Sequence, residues 1–413
     1  MIGIGILGYG TVGSGVYEVL KVNKDIIKRK TGEEIKVKKV LDLRSFPGDN
    51  IESILTHDFE DILNDDSINI IAEVMGGIEP AFTYSKLAIE KGKSVVTSNK
   101  ALVAEKGPEL LKLAEKFNVN YLFEASCGGT IPIIRPLNTS LTSDDVQKIE
   151  GILNGTTNFI LTKMTEEGRD FEDVLKEAQK LGYAEADPTA DVEGHDACRK
   201  IAILSSVAFG ATVNYKDIHT EGITKITSTD IQYAKKLNCV IKLIAESEKT
   251  PLGIAARVVP CLIKSSHPLA TVNNAYNAIF VKGNMSGETM YYGSGAGKLP
   301  TAAAVVGDII DIVKMKGLYV PIDWNVNENM PVLSPEKSEI KAFIRIGYEN
   351  KENAEKAVSD LFGNVDFTSL EGLNNEFAFI TGKETEKSVN DKVNKLKNAS
   401  AVKEIFNVIH VEE

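Results

Sequence analysis

The chain has 413 residues, of which 43% are hydrophobic and 25% are charged, and its formal net charge is −11. This length allows two or three domains, each with its own core, and the composition is that of a soluble globular protein. No basic stripe offsets the negative charge, which argues against a nucleic-acid partner. No apolar run approaches the roughly 18 residues that a membrane helix needs, which argues against a membrane protein.

The cysteines and the first residues bear on the cellular compartment. The four cysteines form no CxxC pair and have no His at the spacing of a zinc site, so we expect reduced structural thiols. The first residues, "MIGIGILGYG", lack a basic leader and a cleavage site. They are typical of a strand that enters a turn, rather than of a signal peptide. We therefore expect a cytoplasmic protein.

The first third of the chain alternates strand patterns with helical patterns. The predicted strands lie at 2–7, 37–43, 68–74, 94–97 and 120–124. Strands that alternate with helices at this spacing indicate a doubly wound parallel sheet. We therefore predict an N-terminal Rossmann-type α/β domain at 1–134.

The middle of the chain has strands of mixed spacing and longer helices. Helices are predicted at 171–181 and 195–209. This pattern indicates an α+β domain at 135–300, which we expect to bind substrate and to support dimerisation. A further helical pattern at 301–318 is expected to return to the first domain.

A polar segment with two prolines, at 325–340, separates this part from the tail and is a linker by composition. The tail at 341–413 is predicted to form a strand, a helix, two strands, a helix and a final strand, in that order. Its predicted strands lie at 341–348, 365–372, 376–382 and 402–411. A C-terminal ferredoxin-like βαββαβ domain fits this order.

A glycine-rich loop, "ILGYGTVGSGV", follows the first strand directly and opens a helix. Gly8, Gly10 and Gly13 have the GxGxxG spacing, which allows a tight turn, a close approach to a pyrophosphate and close packing of helix on strand. Amides at the helix N-terminus favour the phosphate charge. After the second strand, Asp42 could bond a ribose 2′-OH, whereas Arg44 could accommodate a 2′-phosphate. The choice between NAD and NADP stays open.

A block of charges, "AEADPTADVEGHDACRK", runs from Ala184 to Lys200 and leads into an apolar helix. In that helix Asp196 and Lys200 are four residues apart and share one face, which continues with Ile203 and Val207. A surface ion pair of little energetic value is the plain alternative. The apolar face favours a pocket, and so do the upstream carboxylates Glu185, Asp187 and Asp191.

Carboxylates that bind an ammonium group and a lysine that transfers a proton suit a dehydrogenase acting on an amino-acid alcohol. Lys100, in "VVTSNKALVA", is predicted in a loop after the strand at 94–97. That loop lies at the carboxyl edge of the sheet, where ligands of open α/β sheets bind.

At this point the chain resembles the homoserine dehydrogenase family. The segment 178–200 fits the family's signature throughout, and "GYGTVGSGV", "TSNKALVA", "EASCGGTIPII", "GILNGTTNFIL" and "YGSGAGKLPTAAAVVGDI" look like family segments in the family's order. The resemblance covers roughly the first 320 residues. It implies NAD(P)-dependent interconversion of L-homoserine and L-aspartate 4-semialdehyde, a step toward threonine and methionine.

The resemblance also implies roles for individual residues. Lys200 would be the proton donor and acceptor, Lys100 would assist at substrate and cofactor, and Glu185 would bind homoserine. Asp191 and Asp196 would shape the substrate site, with Asp196 orienting Lys200. The implied cofactor contacts are Gly8, Gly10, Thr11, Val12, Gly13, Asp42, Arg44, Ser98, Lys100 and Gly297.

Two further expectations come from the same resemblance. Glu124, with the carbonyls of Cys127, Gly129 and Ile131, matches a monovalent cation site for Na⁺ or K⁺, and oxygen ligands suit a hard cation. A homodimer or homotetramer is expected.

Two departures from the family pattern stand out. Many relatives carry an Arg before the Asp at the second strand's end, whereas this chain has Leu41, which weakens the case for strict NADP use. The tail resembles an ACT domain, the amino-acid-sensing module of many such enzymes. It lacks the glycine-containing loop after its first strand, so threonine binding stays open.

Two other functions remain as alternatives. A nucleotide-sensing regulator would keep the glycine loop but would not need Lys100 and Lys200 together. Another NAD(P)-dependent reductase of the aspartate pathway would need a nucleophilic Cys with a His partner or a dihydropicolinate site. Cys127 has no obvious His partner, and the signature at 178–200 is foreign to both kinds of reductase.

Overall fold

The structure is a computed structural model, and it describes residues 1–324 and 330–412. Residues 325–329 of the predicted linker and Glu413 of the predicted C-terminal domain lie outside the described residues. The chain divides into two compact units. The first unit comprises Met1–Val146, Ala202–Tyr215 and Lys282–Asn329, and the second comprises Gln147–Ile201, Lys216–Val281 and Met330–Glu413.

The α-helices are, in chain order, α1 Thr11–Val22, α2 Lys24–Thr31, α3 Glu60–Leu63, α4 Ala81–Glu90, α5 Lys100–Phe117, α6 Gly155–Glu167, α7 Phe171–Lys180, α8 Thr189–Val192, α9 His195–Phe209, α10 Ser228–Lys236, α11 Lys298–Met315, α12 Lys351–Phe362 and α13 Glu386–Lys397. Within the described ranges, none of these helices is both long enough and apolar enough to cross a bilayer.

The strands are β1 Ile2–Leu7, β2 Ile35–Leu41, β3 Leu55–Thr56, β4 Ile70–Glu73, β5 Ser94–Thr97, β6 Tyr121–Leu122, β7 Val146–Ile152, β8 His219–Thr220, β9 Cys239–Thr250, β10 Gly253–Lys264, β11 Tyr276–Gly283, β12 Gly287–Ser294, β13 Glu339–Tyr348, β14 Glu376–Ile380, β15 Glu384–Thr385 and β16 Val402–Glu412.

The first unit contains the predicted parallel sheet. Its six strands lie in the order β3-β2-β1-β4-β5-β6, and every adjacent pair is parallel. The order reverses at β1 and β4, so the carboxyl ends of these strands form the switch point at which ligands of such sheets bind. The Rossmann-type fold is therefore confirmed, and the sequence missed only the two-residue strand β3.

Helix α11 belongs to this unit, although it lies about 300 residues along the chain. Its side chains Val305 and Ile309 share a buried core cluster with Ile4 of β1 and Val16 of α1. Helices α1 and α11 pack closely where Gly15 faces α11. A Cβ placed on Gly15 would lie only 2.9 Å from the Ala302 Cβ. A larger residue at Gly15 would push α11 away from the glycine-loop helix.

The second unit is built on a mixed sheet in the order β11-β7-β9-β10-β16-β13-β14. Strands β9 and β10 form a long antiparallel hairpin, from Cys239 opposite Lys264 to Thr250 opposite Gly253. The C-terminal strand β16 joins β10 in parallel, with Cys261 opposite His410. The tail therefore continues the sheet of the middle domain.

The tail contains the predicted helices and three of its four predicted strands. The segment predicted as a strand at 365–372 forms only an isolated bridge, in which Thr368 and Ala378 exchange two N–H···O bonds of 2.8 Å. A turn follows at once, with Gly372 at φ 82°, a conformation that favours glycine. This turn ends the pairing after one position.

Candidate functional site

The glycine loop of the first unit has the geometry of a dinucleotide cradle. Gly8 lies at φ 96°, and a Cβ on Gly13 would overlap the Gly8 carbonyl oxygen. A Cβ on Gly10 would meet no atom within 4 Å, so the space in front of this residue is open to a phosphate. Helix α1 begins at Thr11 and Val12 with no acidic residue in its first turn. The loop therefore fits an anionic nucleotide.

Asp42 and Arg44 lie beside this loop. The Tyr9 amide donates to Asp42 Oδ2 at 2.8 Å, and Arg44 Nε and Nη2 donate to the two carboxylate oxygens, each at 2.9 Å. This hydrogen bonding from Arg44 holds the pKa of the Asp42 carboxyl well below its ordinary value. The carboxylate is thus an ionised acceptor next to the glycine loop, as ribose recognition requires.

Lys100 differs from its prediction in local structure. It is the first residue of α5 and does not lie in a loop. The reason is Asn99, whose side chain accepts the Leu102 amide at 3.1 Å and caps the helix directly before Lys100. Ser98, also an expected cofactor contact, donates its amide to the Glu73 carbonyl at 3.3 Å.

Glu73, at the end of β4, was missed from the sequence. Its side chain is fully buried, and burial raises its pKa to about 7. Glu73 Oε2 accepts from Thr97 Oγ1 at 2.5 Å and Oε1 accepts from the Met75 amide at 2.8 Å. Thr97 Oγ1 in turn accepts the Asn99 amide. A chain of hydrogen bonds therefore leads from Glu73 to the residue before Lys100. The sequence signal that could have identified Glu73 is its place as an acidic residue at the end of the apolar run "IIAE".

Gly297 lies within the first unit as the N-cap of α11, at φ 128°. Few residues other than glycine adopt that conformation. Its place at the start of a helix packed on α1 is compatible with the cofactor contact that the sequence resemblance implies.

The expected cation site centres on Glu124, which is buried. Its carboxylate accepts the amides of Ile133, Ile134 and Arg135 at 2.5, 2.9 and 2.7 Å. Burial raises the pKa of this carboxyl, and the backbone hydrogen bonds oppose that effect. A carboxylate has about four lone-pair positions, so these bonds leave room for about one cation contact.

The loop that would supply the carbonyl ligands is compact. Gly129 lies at φ 57°, and a Cβ there would lie 2.6 Å from the Gly295 carbonyl. The Ile131 amide donates to the Gly128 carbonyl at 2.9 Å. Cys127 is buried. The donor set of Glu124, Cys127, Gly129 and Ile131 is therefore chemically compatible with a hard cation.

In the second unit, the structure contains the ion pair that the spacing of the charged block predicted. Lys200 Nζ lies 2.7 Å from Asp196 Oδ2, and both side chains are buried. Lys200 Nζ also donates to the Leu153 carbonyl at 2.8 Å. This pair is therefore not an exposed salt bridge on a helix surface.

The loop between β7 and α6 joins this pair to a second carboxylate. Asn154 Nδ2 donates to Asp191 Oδ1 at 2.7 Å and to Asp196 Oδ2 at 3.0 Å. Thr156 Oγ1 lies 3.1 Å from Asp191 Oδ2. Burial raises the pKa of Asp191, and the hydrogen bond from Asn154 acts in the opposite direction.

The other carboxylates of the block lie at the surface. Glu185 and Asp187 are exposed, and Asp187 accepts the amide and the hydroxyl of Thr189 at 3.1 and 2.6 Å. Asp187 therefore closes a local turn. The binding of homoserine by Glu185 stays a prediction. So does joint action of Lys100, in the first unit, and Lys200, in the second.

Comparison with known proteins identifies the family. The model "Homoserine dehydrogenase" matches residues 132–310, and "Homoserine dehydrogenase, NAD binding domain" matches 8–124. A homoserine dehydrogenase of Bacillus subtilis is 38% identical over 99% of this chain and 98% of its own length. The chain belongs to the homoserine dehydrogenase family.

Solved structures agree with this membership. A homoserine dehydrogenase from Thiobacillus denitrificans has a TM-score of 0.92 and 37% identity, over 100% of this chain and 98% of its own. A hyperthermophilic archaeal homoserine dehydrogenase in complex with NADPH has a TM-score of 0.64 and 28% identity, over 75% of this chain and 97% of its own. The chain is thus an NAD(P)-dependent oxidoreductase of the homoserine dehydrogenase family, and the regulator and the other reductases are set aside.

Asn154 and Thr156 are the residues of this homoserine dehydrogenase that sequence reasoning missed in the second unit. They lie in "GILNGTTNFIL", a segment quoted only for its resemblance to the family. An Asn directly after a strand and before a helical run is an N-cap signal. That signal predicts the helix start, but it does not say that the same side chain reaches two distant carboxylates.

Proposed function

We propose that this chain interconverts L-homoserine and L-aspartate 4-semialdehyde with NAD(P), as a step toward threonine and methionine, and that Lys200 transfers the proton. The observation that carries this proposal is the buried Lys200–Asp196 pair at 2.7 Å. It combines a proton-transfer group with a carboxylate that orients it, in a chain of this family. Asp191, half-buried and hydrogen-bonded to Asn154 and Thr156, supplies a second carboxylate.

Each residue has a defined task in this proposal. The bound nicotinamide supplies the hydride chemistry. Oxidation of homoserine also releases the hydroxyl proton, which Lys200 Nζ accepts as the neutral amine, and in the reverse direction the Lys200 ammonium returns it to the developing alkoxide. Asp196 orients the amine. Asp191 and Glu185 bind the substrate ammonium, and Lys100 assists at substrate and cofactor.

The nucleotide preference tests the roles of Asp42 and Arg44. We expect wild-type protein to reduce both NAD and NADP with homoserine, because Asp42 favours a free ribose hydroxyl and Arg44 can pair with a 2′-phosphate. Arg44→Ala should raise the KM for NADP about tenfold or more, since a hydrogen bond to a charged group contributes about 1.5–3 kcal/mol. The KM for NAD should stay within about threefold of its wild-type value, because a change that small is under about 1 kcal/mol.

The matched control is Arg29→Ala, which removes an exposed arginine of α2 in the same unit and should change neither KM. Absorbance of the reduced nicotinamide gives the KM for NAD and the KM for NADP of the wild type and of both variants. Equal losses with both nucleotides in Arg44→Ala, or a wild-type preference beyond about a thousandfold, on the order of 4 kcal/mol, would show that these residues do not read the ribose.

A homodimer or homotetramer is part of the proposal. Large apolar side chains are exposed around β12 in the first unit, with Met285 82%, Met290 41% and Tyr292 53% exposed. Such a patch is typical of an interaction surface. Light scattering at micromolar concentration should therefore give two or four times the chain mass of 44.9 kDa, and Met290→Lys should lower it. A single-chain mass for the wild-type protein would contradict this prediction.

Two smaller points complete the proposal. A monovalent cation, Na⁺ or K⁺, binds Glu124 and the carbonyls of Cys127, Gly129 and Ile131, which is supported by the buried carboxylate of Glu124 and by the tight turn at Gly129. The protein is cytoplasmic, which is supported by its cysteines, because no disulfide joins them within the described residues.

A further inference from the structure

One side-chain amide, that of Asn154, bonds both acidic residues of the second-unit site. Its Nδ2 donates to Asp191 at 2.7 Å and to Asp196 at 3.0 Å. Its Oδ1 accepts the amide and the hydroxyl of Thr157 at 2.9 and 3.0 Å. The side chain is 95% buried, since only 5% of it is accessible. All of its hydrogen-bonding capacity is therefore directed at the site and at the start of α6.

The cap on α6 determines which way the amide points. Because Oδ1 accepts from Thr157, the NH₂ group must face the two carboxylates. An amide NH₂ has two donors, so each carboxylate can take one. Asp191 and Asp196 carry like charges, and a shared donor lets them lie together where repulsion would otherwise separate them. Ser would retain the cap but has one donor, and Asp would retain the cap but would only accept.

The residue before Asn154 completes the arrangement. The Leu153 carbonyl accepts from Lys200 Nζ at 2.8 Å, and Lys200 pairs with Asp196. Two consecutive residues after β7 therefore bond three groups of the site, by one backbone oxygen and one side-chain amide. Rotation of the Asn154 side chain would remove one hydrogen bond from Asp191 and one from Asp196 at the same time.

We propose that Asn154 is a positioning residue for the Lys200–Asp196–Asp191 group. This inference rests on the roles given to those three residues under the proposed function. Asn154 touches neither the reacting atoms nor, in this proposal, the substrate. It acts through the two carboxylates and sets where the lysine amine lies.

Asn154→Ser tests the bridge while it keeps the helix cap. We expect kcat for homoserine oxidation to fall by about 10²-fold, the usual cost of a displacement of about 1 Å in an active site. The KM for homoserine should rise through Asp191, and the KM for NAD(P) should stay unchanged, because the glycine loop belongs to the other unit. This split between kinetic constants is what a general loss of stability would not produce.

The matched control is Asn350→Ser in α12. Asn350 is also a helix N-cap, and its side chain accepts the Asn353 amide at 3.0 Å. The same substitution there weakens a cap without touching the site, and it should leave kcat and both KM values at wild-type levels. Equal kinetics in Asn154→Ser and Asn350→Ser would overturn the proposal. If Asn154→Ser does not fold, Asn154→Asp, which keeps shape and cap, serves in its place, and wild-type kcat in that variant has the same meaning.

A double-mutant cycle with Asp196→Asn separates this inference from the proposed function. If Asn154 acts through Asp196, its substitution should cost much less in the Asp196→Asn background, and independent, multiplicative losses would overturn the proposal. An impaired Asp196→Asn with a fully active Asn154→Ser would refute the positioning alone. A fully active Asp196→Asn with an impaired Asn154→Ser would refute both the role of Asp196 and the positioning through it.

Discussion

Lys200→Ala is expected to lower kcat for homoserine oxidation by about 10²- to 10⁴-fold, the usual contribution of general acid-base catalysis. Oxidation removes a hydride from the carbinol carbon and a proton from its oxygen, and the proton needs an acceptor within hydrogen-bond reach. The amine of Lys200 is held at 2.7 Å from Asp196 and 2.8 Å from the Leu153 carbonyl. Its position is therefore fixed before substrate binds, and alanine removes the nitrogen that carries the proton in this proposal.

The loss should appear in kcat and not in nucleotide affinity, because the glycine loop is in the first unit. Lys176→Ala is the matched control. Lys176 also pairs with an aspartate on a helix of the second unit, Asp173 at 3.9 Å, but both side chains are more than two-thirds exposed, and such pairs contribute little. Retention of more than about a third of wild-type turnover by a folded Lys200→Ala protein, far above the expected range, would refute the assignment and make Lys100 the next candidate.

Lys148→Met is expected to lower the free energy of unfolding by about 3–5 kcal/mol, the cost of removing one partner from a buried ion pair. Lys148 Nζ lies 2.6 Å from Glu150, 3.4 Å from Glu246 and 2.6 Å from Glu412. One carboxylate oxygen from each of these three glutamates lies within 4.8 Å of the other two. Burial opposes the charge of Lys148, but the three carboxylates outweigh that effect and raise the pKa of its amine.

Without the amine, two basic side chains would still face these carboxylates. Arg257 pairs with Glu246, and His267 lies 3.4 Å from Glu150 and offsets its charge when the imidazole is protonated. Burial and Glu246 already raise the pKa of Glu412 to about 7. An acid whose folded pKa is raised stabilises the fold below its unfolded pKa and loses that contribution as pH rises through the folded value. The deficit of Lys148→Met should therefore grow as pH rises from about 5 to about 8.

Urea unfolding at several pH values measures this effect. Lys163→Met is the matched control, because Lys163 pairs with Glu167 at 2.7 Å on α6 and both side chains are at least a quarter exposed. Its cost should be under about 1 kcal/mol. If Lys148→Met lowers the free energy of unfolding no more than Lys163→Met does, the cluster does not depend on the lysine charge. A loss in Lys148→Met that shrinks as pH rises would show the same. Because Glu412 lies on β16, the result also reports how firmly the C-terminal strand is held.

The parts of the fold that sequence predicted are those with a strong local pattern. The bounds of β1, β5 and α9 match their predictions, since their apolar runs or helical faces end at clear boundaries. Strand β3 was not predicted, and the strand predicted at 365–372 forms only the bridge at Thr368, because one or two paired residues have no periodicity of their own. These short pairings depend on neighbouring strands rather than on their own residues.

The site divides in the same way. The spacing of four residues was enough to predict the Asp196–Lys200 pair. Asn154 lies 42 residues from Asp196 in sequence, so no spacing could connect them. Glu185 and Asp187 belong to the same charged block as Asp191, and only the three-dimensional structure separates the exposed carboxylates from the half-buried one. Local chemistry predicted the kind of site, and long-range contacts determined its members.

The most direct test of the function is the stoichiometry of a single reaction. Purified protein is incubated with L-homoserine and NAD or NADP, the reduced nicotinamide is measured by absorbance, and the aldehyde is trapped and quantified in the same sample. The proposed function predicts one L-aspartate 4-semialdehyde for each reduced nicotinamide, with the rate lowered about 10²- to 10⁴-fold in Lys200→Ala. Absence of nicotinamide reduction with both nucleotides, or reduction without aldehyde, would contradict it.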